Sequence, residues 1–192
     1  MKALREFRRN QSIYFLYTAG LLAPGRELPV TNADQTTARS VSSWTHAELA
    51  LLIDEGRRQG DRQQADLRDI RSRAQWLFTV AVATLGALGT GLASSHPERT
   101  ESVLWLVGLG VLVYGVGGAA SVMVSRADFS MIHTAVLSGA PQPIEKSLAE
   151  SYARMMAVGE NTVATRLTVF RQAVVFCLVG GYVGLVAALL AK

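Results

Sequence analysis

Three uncharged apolar stretches, at 75–94, 103–124 and 173–191, constrain this chain more than any other feature. A hydrocarbon core about 30 Å thick is crossed by about 20 residues of helix, and each stretch is close to that length. The chain therefore reads as an all-α integral membrane protein with three transmembrane helices. With 192 residues in all, little is left for a separate soluble domain. The plan is one three-span membrane domain over 45–192, preceded by an N-terminal interfacial or extended arm over 1–44.

Charge orients the spans. Of the 19 Lys and Arg, all but Arg99, Arg126, Lys146, Arg154, Arg166, Arg171 and Lys192 precede residue 76. Cytoplasmic flanks collect basic residues, so the bias puts the N-terminus in the cytoplasm and the 95–102 link outside. The 125–172 stretch then returns to the cytoplasm, and the C-terminus ends outside. Lys2, Arg5, Arg8 and Arg9 ahead of the apolar run 12–23 resemble a secretory leader, but Pro24-Gly25-Arg26 offers no small-x-small cleavage pattern. A helix lying on the inner leaflet, with Phe7, Ile13, Tyr14 and Tyr17 inserted, is one reading of this segment. Packing of 13–22 on the protein itself is the other.

Residues 24–44 hold Pro24 and Pro29 and little apolar periodicity, the composition of a loop or extended arm. Thr45, with Glu48 three positions on, makes a capping box, and no proline follows until Pro97, so one helix is expected to run from Thr45 into the first span. Its 54–66 stretch is polar on every face and contains Gly56 and Gly60, each weakening a helix by about 1 kcal/mol relative to Ala. These are the expected weak points of this stalk. The i,i+4 pairs Arg57–Asp61, Arg62–Asp66 and Asp69–Arg73 return only about 0.2–0.5 kcal/mol each, so a packed partner is expected.

That partner is a second helix from Pro143, with Leu148, Met155, Thr162 and Val169 recurring every seven residues, flanked by Tyr152, Met156, Val163 and Phe170. Segments 45–73 and 143–170 each reach roughly 43 Å at about 1.5 Å per residue. Two long cytoplasmic stalks, continuous with the first and third spans and lying side by side, follow from this pattern.

The spans are rich in small residues. Gly86, Gly110, Gly117, Gly180 and Gly184 are the expected packing positions, because small residues let helices approach where lipid is as apolar as leucine. Gly180-Gly181-Tyr182-Val183-Gly184 is a GxxxG motif, compatible with packing inside one subunit or with homo-oligomerisation. Cys177 lies mid-span as a small packing residue, without a disulfide partner.

Signatures of chemistry are missing. His46, His96 and His133 lie apart, without metal-ligand spacing, and no phosphate loop, nucleophile elbow or carboxylate pair occurs. No catalytic residue, cofactor or metal is expected, and nucleic acid is not an expected partner. The spans contain no ionisable group of the kind that ion-coupled transporters use. Arg71, Arg73, Arg166 and Arg171 stand at the cytoplasmic ends of the first and third spans, as interface anchors or as contacts for an anionic ligand or lipid.

The junction Asp66-Leu67-Arg68-Asp69-Ile70-Arg71-Ser72-Arg73-Ala74-Gln75-Trp76-Leu77 resembles the lead into the first span of small transmembrane effectors of bacterial anti-phage systems, the Pycsar transmembrane effectors and the related SLATT effectors. Tyr152, Gly159-Glu160-Asn161, Arg166 and Arg171 are similar to the polar helix that leads such proteins back into the membrane. The likeness covers about 45–191 and leaves 1–44 unmatched, and no cyclic-nucleotide-binding domain is recognisable. It implies a non-enzymatic protein held quiet until a cyclic-nucleotide or protein trigger acts, after which the assembled spans disrupt the inner membrane by forming a pore or thinning the bilayer. The competing reading is a non-enzymatic membrane scaffold that recruits a soluble partner through its arm and stalk.

Overall fold

A computed structural model describes residues 2–22, 44–94, 99–125 and 143–191. Most of the expected loop at 24–44, the 95–98 part of the link and the breaker-rich 138–142 lie outside them. The described residues form four helices: α1 (Lys2–Gly20), α2 (His46–Ser94), α3 (Arg99–Val124) and α4 (Ile144–Leu190). No strand occurs among them, and α2, α3 and α4 are each long and apolar enough to cross a membrane.

The start of α2 is set by its cap. The Thr45 N–H donates to Glu48 Oε2 at 2.7 Å, the Thr45 hydroxyl bonds the same oxygen at 2.8 Å, and the Glu48 N–H reaches back to Thr45 Oγ1 at 3.4 Å. This reciprocal box satisfies donors that the first helical turn leaves open. At α4, Pro143 supplies the carbonyl for the Lys146 N–H at 3.1 Å, and the helix then runs without a break to Leu190.

The chain divides into two compact units. One comprises Val30–Asp69 and Arg126–Thr165, the other Met1–Pro29, Ile70–Ser125 and Arg166–Lys192. In the first, α2 and α4 run parallel, with contacts that climb both helices in step. His46 pairs with Glu145, Leu49 packs on Ala149 beside Leu52 and Ile53, Tyr152 sits on Gly56, Met155 on Gly60, and Gln63 on Gly159.

Close approach explains the glycines here. A Cβ on Gly56 would stand 3.0 Å from the Cβ of Tyr152, and one on Gly60 3.2 Å from Met155 Cε. Both positions expected as weak points thus also admit a partner side chain. The side-chain amide of Gln63 donates to the Met156 carbonyl at 3.1 Å and occupies the place of a Gly159 side chain.

Arg57 and Arg62 take partners other than the expected Asp61 and Asp66. Arg58 pairs with Asp54 at 2.9 Å and Arg62 reaches Glu55 at 3.8 Å, while Arg57 Nε donates to the Tyr152 hydroxyl at 3.4 Å. Docking of Tyr152 at Gly56 brings its phenol beside Arg57 and gives that guanidinium an acceptor on the other helix. Apart from the half-buried Tyr152, these groups belong to exposed residues, so the two ion pairs contribute little each.

In the second unit, α3 runs antiparallel to α4 and their backbones touch. A Cβ on Gly108 would lie 2.7 Å from Gly184 N, on Gly180 2.5 Å from Leu112 N, and on Gly115 2.8 Å from Cys177 N. Trp105, Leu112, Cys177, Ala81, Leu88 and Ala187 form the buried centre. Large apolar residues point outward: Trp76, Val80, Leu106, Val113, Leu178, Tyr182 and Leu185 are each more than half exposed. An exposed apolar surface of this extent is what a lipid-facing helix carries and what a water-facing one avoids.

α1 packs on α3. Ile13, Tyr14 and Tyr17 are buried, whereas Phe7 and Phe15 are exposed. Tyr14 enters an aromatic cluster with Tyr114 and Phe176, ring centroids about 5 Å apart in edge-on and tilted arrangements. The apolar side of this segment therefore lies on the protein itself, and Phe7 does not share it.

Candidate functional site

Two of the four arginines singled out in the sequence converge. Arg166 Nη2 donates to the Ser125 carbonyl at 2.9 Å, and Arg71 Nη2 donates to the same oxygen at 3.3 Å. Ser125 closes α3, its own N–H bonded to the Ser121 carbonyl at 2.9 Å. The last carbonyls of a helix have no intrahelical donor and carry the negative end of its dipole, so a guanidinium is the natural cap. Here α2 and α4 each supply one.

Arg166 is 1% exposed, one of the largest fully buried side chains in the protein. Buried arginine is rare without compensating hydrogen bonds, because an uncompensated buried charge costs several kcal/mol. Around the shared carbonyl, Arg71 Nε and Ser125 Oγ are buried without a hydrogen-bond partner among the described residues. Thr165, one residue before Arg166, is also fully buried, its hydroxyl donating to the Asn161 carbonyl at 2.7 Å.

Arg73 and Arg171 lie apart from this cluster, on exposed faces of α2 and α4. The helical repeat accounts for the split. Arg71 is one residue past the buried Ile70 and Arg166 is seven before the buried Ala173, which sets them toward the interior, whereas two further residues along α2 or five along α4 turn the side chain outward. Ser125 carries no side-chain signal as an acceptor, since the group used is its backbone carbonyl. Only the position of the α3 terminus could have pointed to it.

The five expected packing glycines take different surroundings. Gly180 and Gly184 face α3 and Leu88, the latter with Leu88 Cδ1 2.6 Å from where its Cβ would be. Gly117 has only Thr18 Cγ2 at 3.8 Å, and a Cβ at Gly86 or Gly110 meets nothing within 4 Å. Gly118 is in close contact instead: a side chain there would collide with the ring of Tyr14, whose hydroxyl donates to the Tyr114 carbonyl at 2.8 Å. The threonines in the apolar part of α2 are satisfied within their own helix, Thr79, Thr84 and Thr90 donating to the carbonyls of Gln75, Val80 and Ala87 at 2.9–3.0 Å. Such back-bonding removes the penalty of a hydroxyl in lipid.

Among the described residues no group of His, Cys, Asp and Glu side chains is placed to hold a metal ion. The two guanidiniums tie the end of α3 to α2 and α4. No protein family, no curated protein and no solved structure matches the chain.

Proposed function

We propose that this protein is a non-enzymatic membrane effector of a bacterial anti-phage defence system, one that oligomerises and disrupts the inner membrane when triggered. The observation that carries the reading is the continuity of α2 and α4. Each is a single helix whose first half pairs through polar and small residues and whose second half is apolar enough to span a bilayer. A turn or slide in the first-half pairing is passed along a rod of regular helix, the kind of small helix shift that packed interfaces convert into two-state transitions. The Gly56–Tyr152, Gly60–Met155 and Gly159–Gln63 contacts are the discrete seats such a shift would exchange. The N-terminus and both polar helix segments lie in the cytoplasm in this reading, where a cyclic nucleotide or a soluble protein supplies the trigger, and the C-terminus lies outside.

Any trigger must bind one packing better than the other, since a ligand with equal affinity for both shifts nothing. Induced expression in a bacterial host tests the effector reading. At high expression, where mass action favours the assembled state without its trigger, wild-type protein should arrest growth, and Gly184→Leu, which drives a large side chain into Leu88, should relieve the arrest while still reaching the membrane fraction. Normal growth with abundant wild-type protein in the membrane would count against it.

A second reading is supported by one observation. Trp44, Leu51 and Leu52 line a surface hollow of about 490 Å³ bordered by Glu48 and Glu55, with Leu51 70% exposed. An apolar surface on the polar first half of α2 suits a soluble protein partner, so a scaffold role would use it. Leu51→Asp separates the two: it abolishes partner capture by a scaffold and leaves effector toxicity in place.

A further inference from the structure

We infer that the outward side of α1 is a binding site for one anionic phospholipid, its headgroup phosphate held by Arg8 and Gln11 and an acyl chain laid over Phe15, Leu16 and Tyr114. The inference rests on the spans lying in a bilayer and stands whether the protein is an effector or a scaffold. α1 and α3 belong to one compact unit. Where they meet, a surface hollow of about 500 Å³ is lined by Gln11, Ser12, Phe15 and Leu16 of α1 and by Tyr114 of α3. Small-molecule sites have volumes of about 300–1,000 Å³, so the hollow is large enough for part of a lipid.

The helical repeat gives this hollow two chemically different ends. Arg8, Gln11, Ser12 and Phe15 follow the i, i+3, i+4, i+7 spacing of one helix face, with Arg5 one turn ahead. A cation, then an amide and a hydroxyl, then apolar side chains succeed one another over about 10 Å of helix. A phospholipid has the same order of phosphate, glycerol esters and hydrocarbon. The Ser12 hydroxyl already donates to the Arg8 carbonyl at 3.0 Å, so the donors for a phosphate are the Arg8 guanidinium and the Gln11 amide. The face cannot turn away, because Ile13, Tyr14 and Tyr17 on the opposite side are buried and the Tyr14 hydroxyl is bonded to Tyr114. Glu6, the one carboxylate of α1, falls on the heptad line of Ile13 rather than on the arginine face.

Position and charge select the occupant. Tyr114 and Gly118, which meet Tyr14, lie within the apolar 103–124 stretch. Arg8 is about 9 Å along α1 from Tyr14. A guanidinium so near hydrocarbon is costly without an anion, and its long stem lets the charged head reach a headgroup. α1 carries Lys2, Arg5, Arg8 and Arg9 against Glu6 alone, and each basic residue near an anionic lipid surface is favourable. A zwitterionic lipid would cover the apolar end and leave the cations without a net negative partner. A soluble phosphate would serve the cations and leave Phe15, which is 61% exposed, uncovered. An anionic phospholipid meets both ends.

The test is native mass spectrometry of the full-length protein, released from neutral detergent after incubation with phosphatidylglycerol and phosphatidylcholine of identical chains. One phosphatidylglycerol per subunit should be retained in preference to phosphatidylcholine, and excess inorganic phosphate should not displace it. Arg8→Gln should weaken phosphatidylglycerol about fivefold, the scale of one basic residue beside an anionic headgroup. Phe15→Asn keeps every charge and should also weaken it, which simple attraction to a basic helix would not produce. Arg171→Gln, a change at the interface anchor of α4, should leave retention as in wild type. All three side chains are exposed, so these variants should fold. Equal retention of the two lipids, displacement by inorganic phosphate, unchanged affinity in Arg8→Gln or Phe15→Asn, or an equal loss in Arg171→Gln overturns the inference.

Discussion

The Tyr14 hydroxyl donates to the backbone carbonyl of Tyr114 at 2.8 Å, and its ring fills the space that a side chain on Gly118 would require. This contact joins α1 to α3 deep in the apolar unit, with Tyr14 fully buried. Tyr14→Phe is expected to weaken docking by about 0.5–1.5 kcal/mol. Gly118→Leu should release α1 altogether. Hydrogen exchange of the α1 amides measures both: modestly faster in the first variant, near unprotected in the second, with α4 amides unchanged.

Gly56 and Gly60 should respond to alanine in opposite directions. Alanine gains about 1 kcal/mol of helix propensity at either place. At Gly56 the new methyl meets the Cβ of Tyr152, which moves only with its backbone, and overpacking of that kind costs about 1–3 kcal/mol. At Gly60 it meets the terminal methyl of Met155, which can turn aside. Thermal unfolding in detergent should show Gly56→Ala lowered and Gly60→Ala unchanged or raised.

Leucine substitutions sort the span glycines. Gly108→Leu and Gly180→Leu push α3 and α4 apart where their backbones touch and should lower the unfolding midpoint by several degrees or abolish folding, an effect of about 3 kcal/mol or more. Gly86→Leu and Gly110→Leu enter open space and should leave the isolated protein as stable as wild type. If either of the latter nonetheless abolishes toxicity, the open face is where copies of the chain meet, which cross-linking of the wild-type and variant proteins in membranes would register as oligomer lost.

The same sorting shows what the sequence could and could not convey. The capping box at Thr45 and Glu48, the start of α4 after Pro143 and the three apolar segments are local patterns, so they were legible. Which glycine faces a neighbour is not local. Gly108, Gly110, Gly115 and Gly118 look alike in sequence, and only the rotation of α3 against α4 and α1 separates the open Gly110 from the other three. Of the arginine site, the two side chains could be nominated because they flank spans, but their meeting point is a main-chain oxygen whose residue type says nothing. The Gln63–Gly159 seat was hidden for a related reason: a glutamine on a polar helix reads as solvated until a glycine opposite admits it.

Glu48 gives a pH dependence of known sign. The Thr45 N–H, and then the Thr45 hydroxyl, hold its carboxylate below the ordinary glutamate pKa. A group with a depressed folded pKa contributes stability that is complete above its unfolded pKa, about 4.3, and is lost as pH falls through the folded value. The first turn of α2 should therefore fray as the pH falls below the ordinary glutamate range, seen as loss of helical carbon shifts at residues 46–50. Glu48→Gln should flatten that response.

The proposal that matters most is that this protein acts on the membrane itself, and the membrane potential of a bacterial host followed through the first minutes of induced expression tests it most directly. Wild-type protein is predicted to depolarise cells before growth stops, and Gly180→Leu at equal abundance in the membrane fraction to do so far less. An unchanged potential with abundant wild-type protein in the membrane would contradict the mechanism.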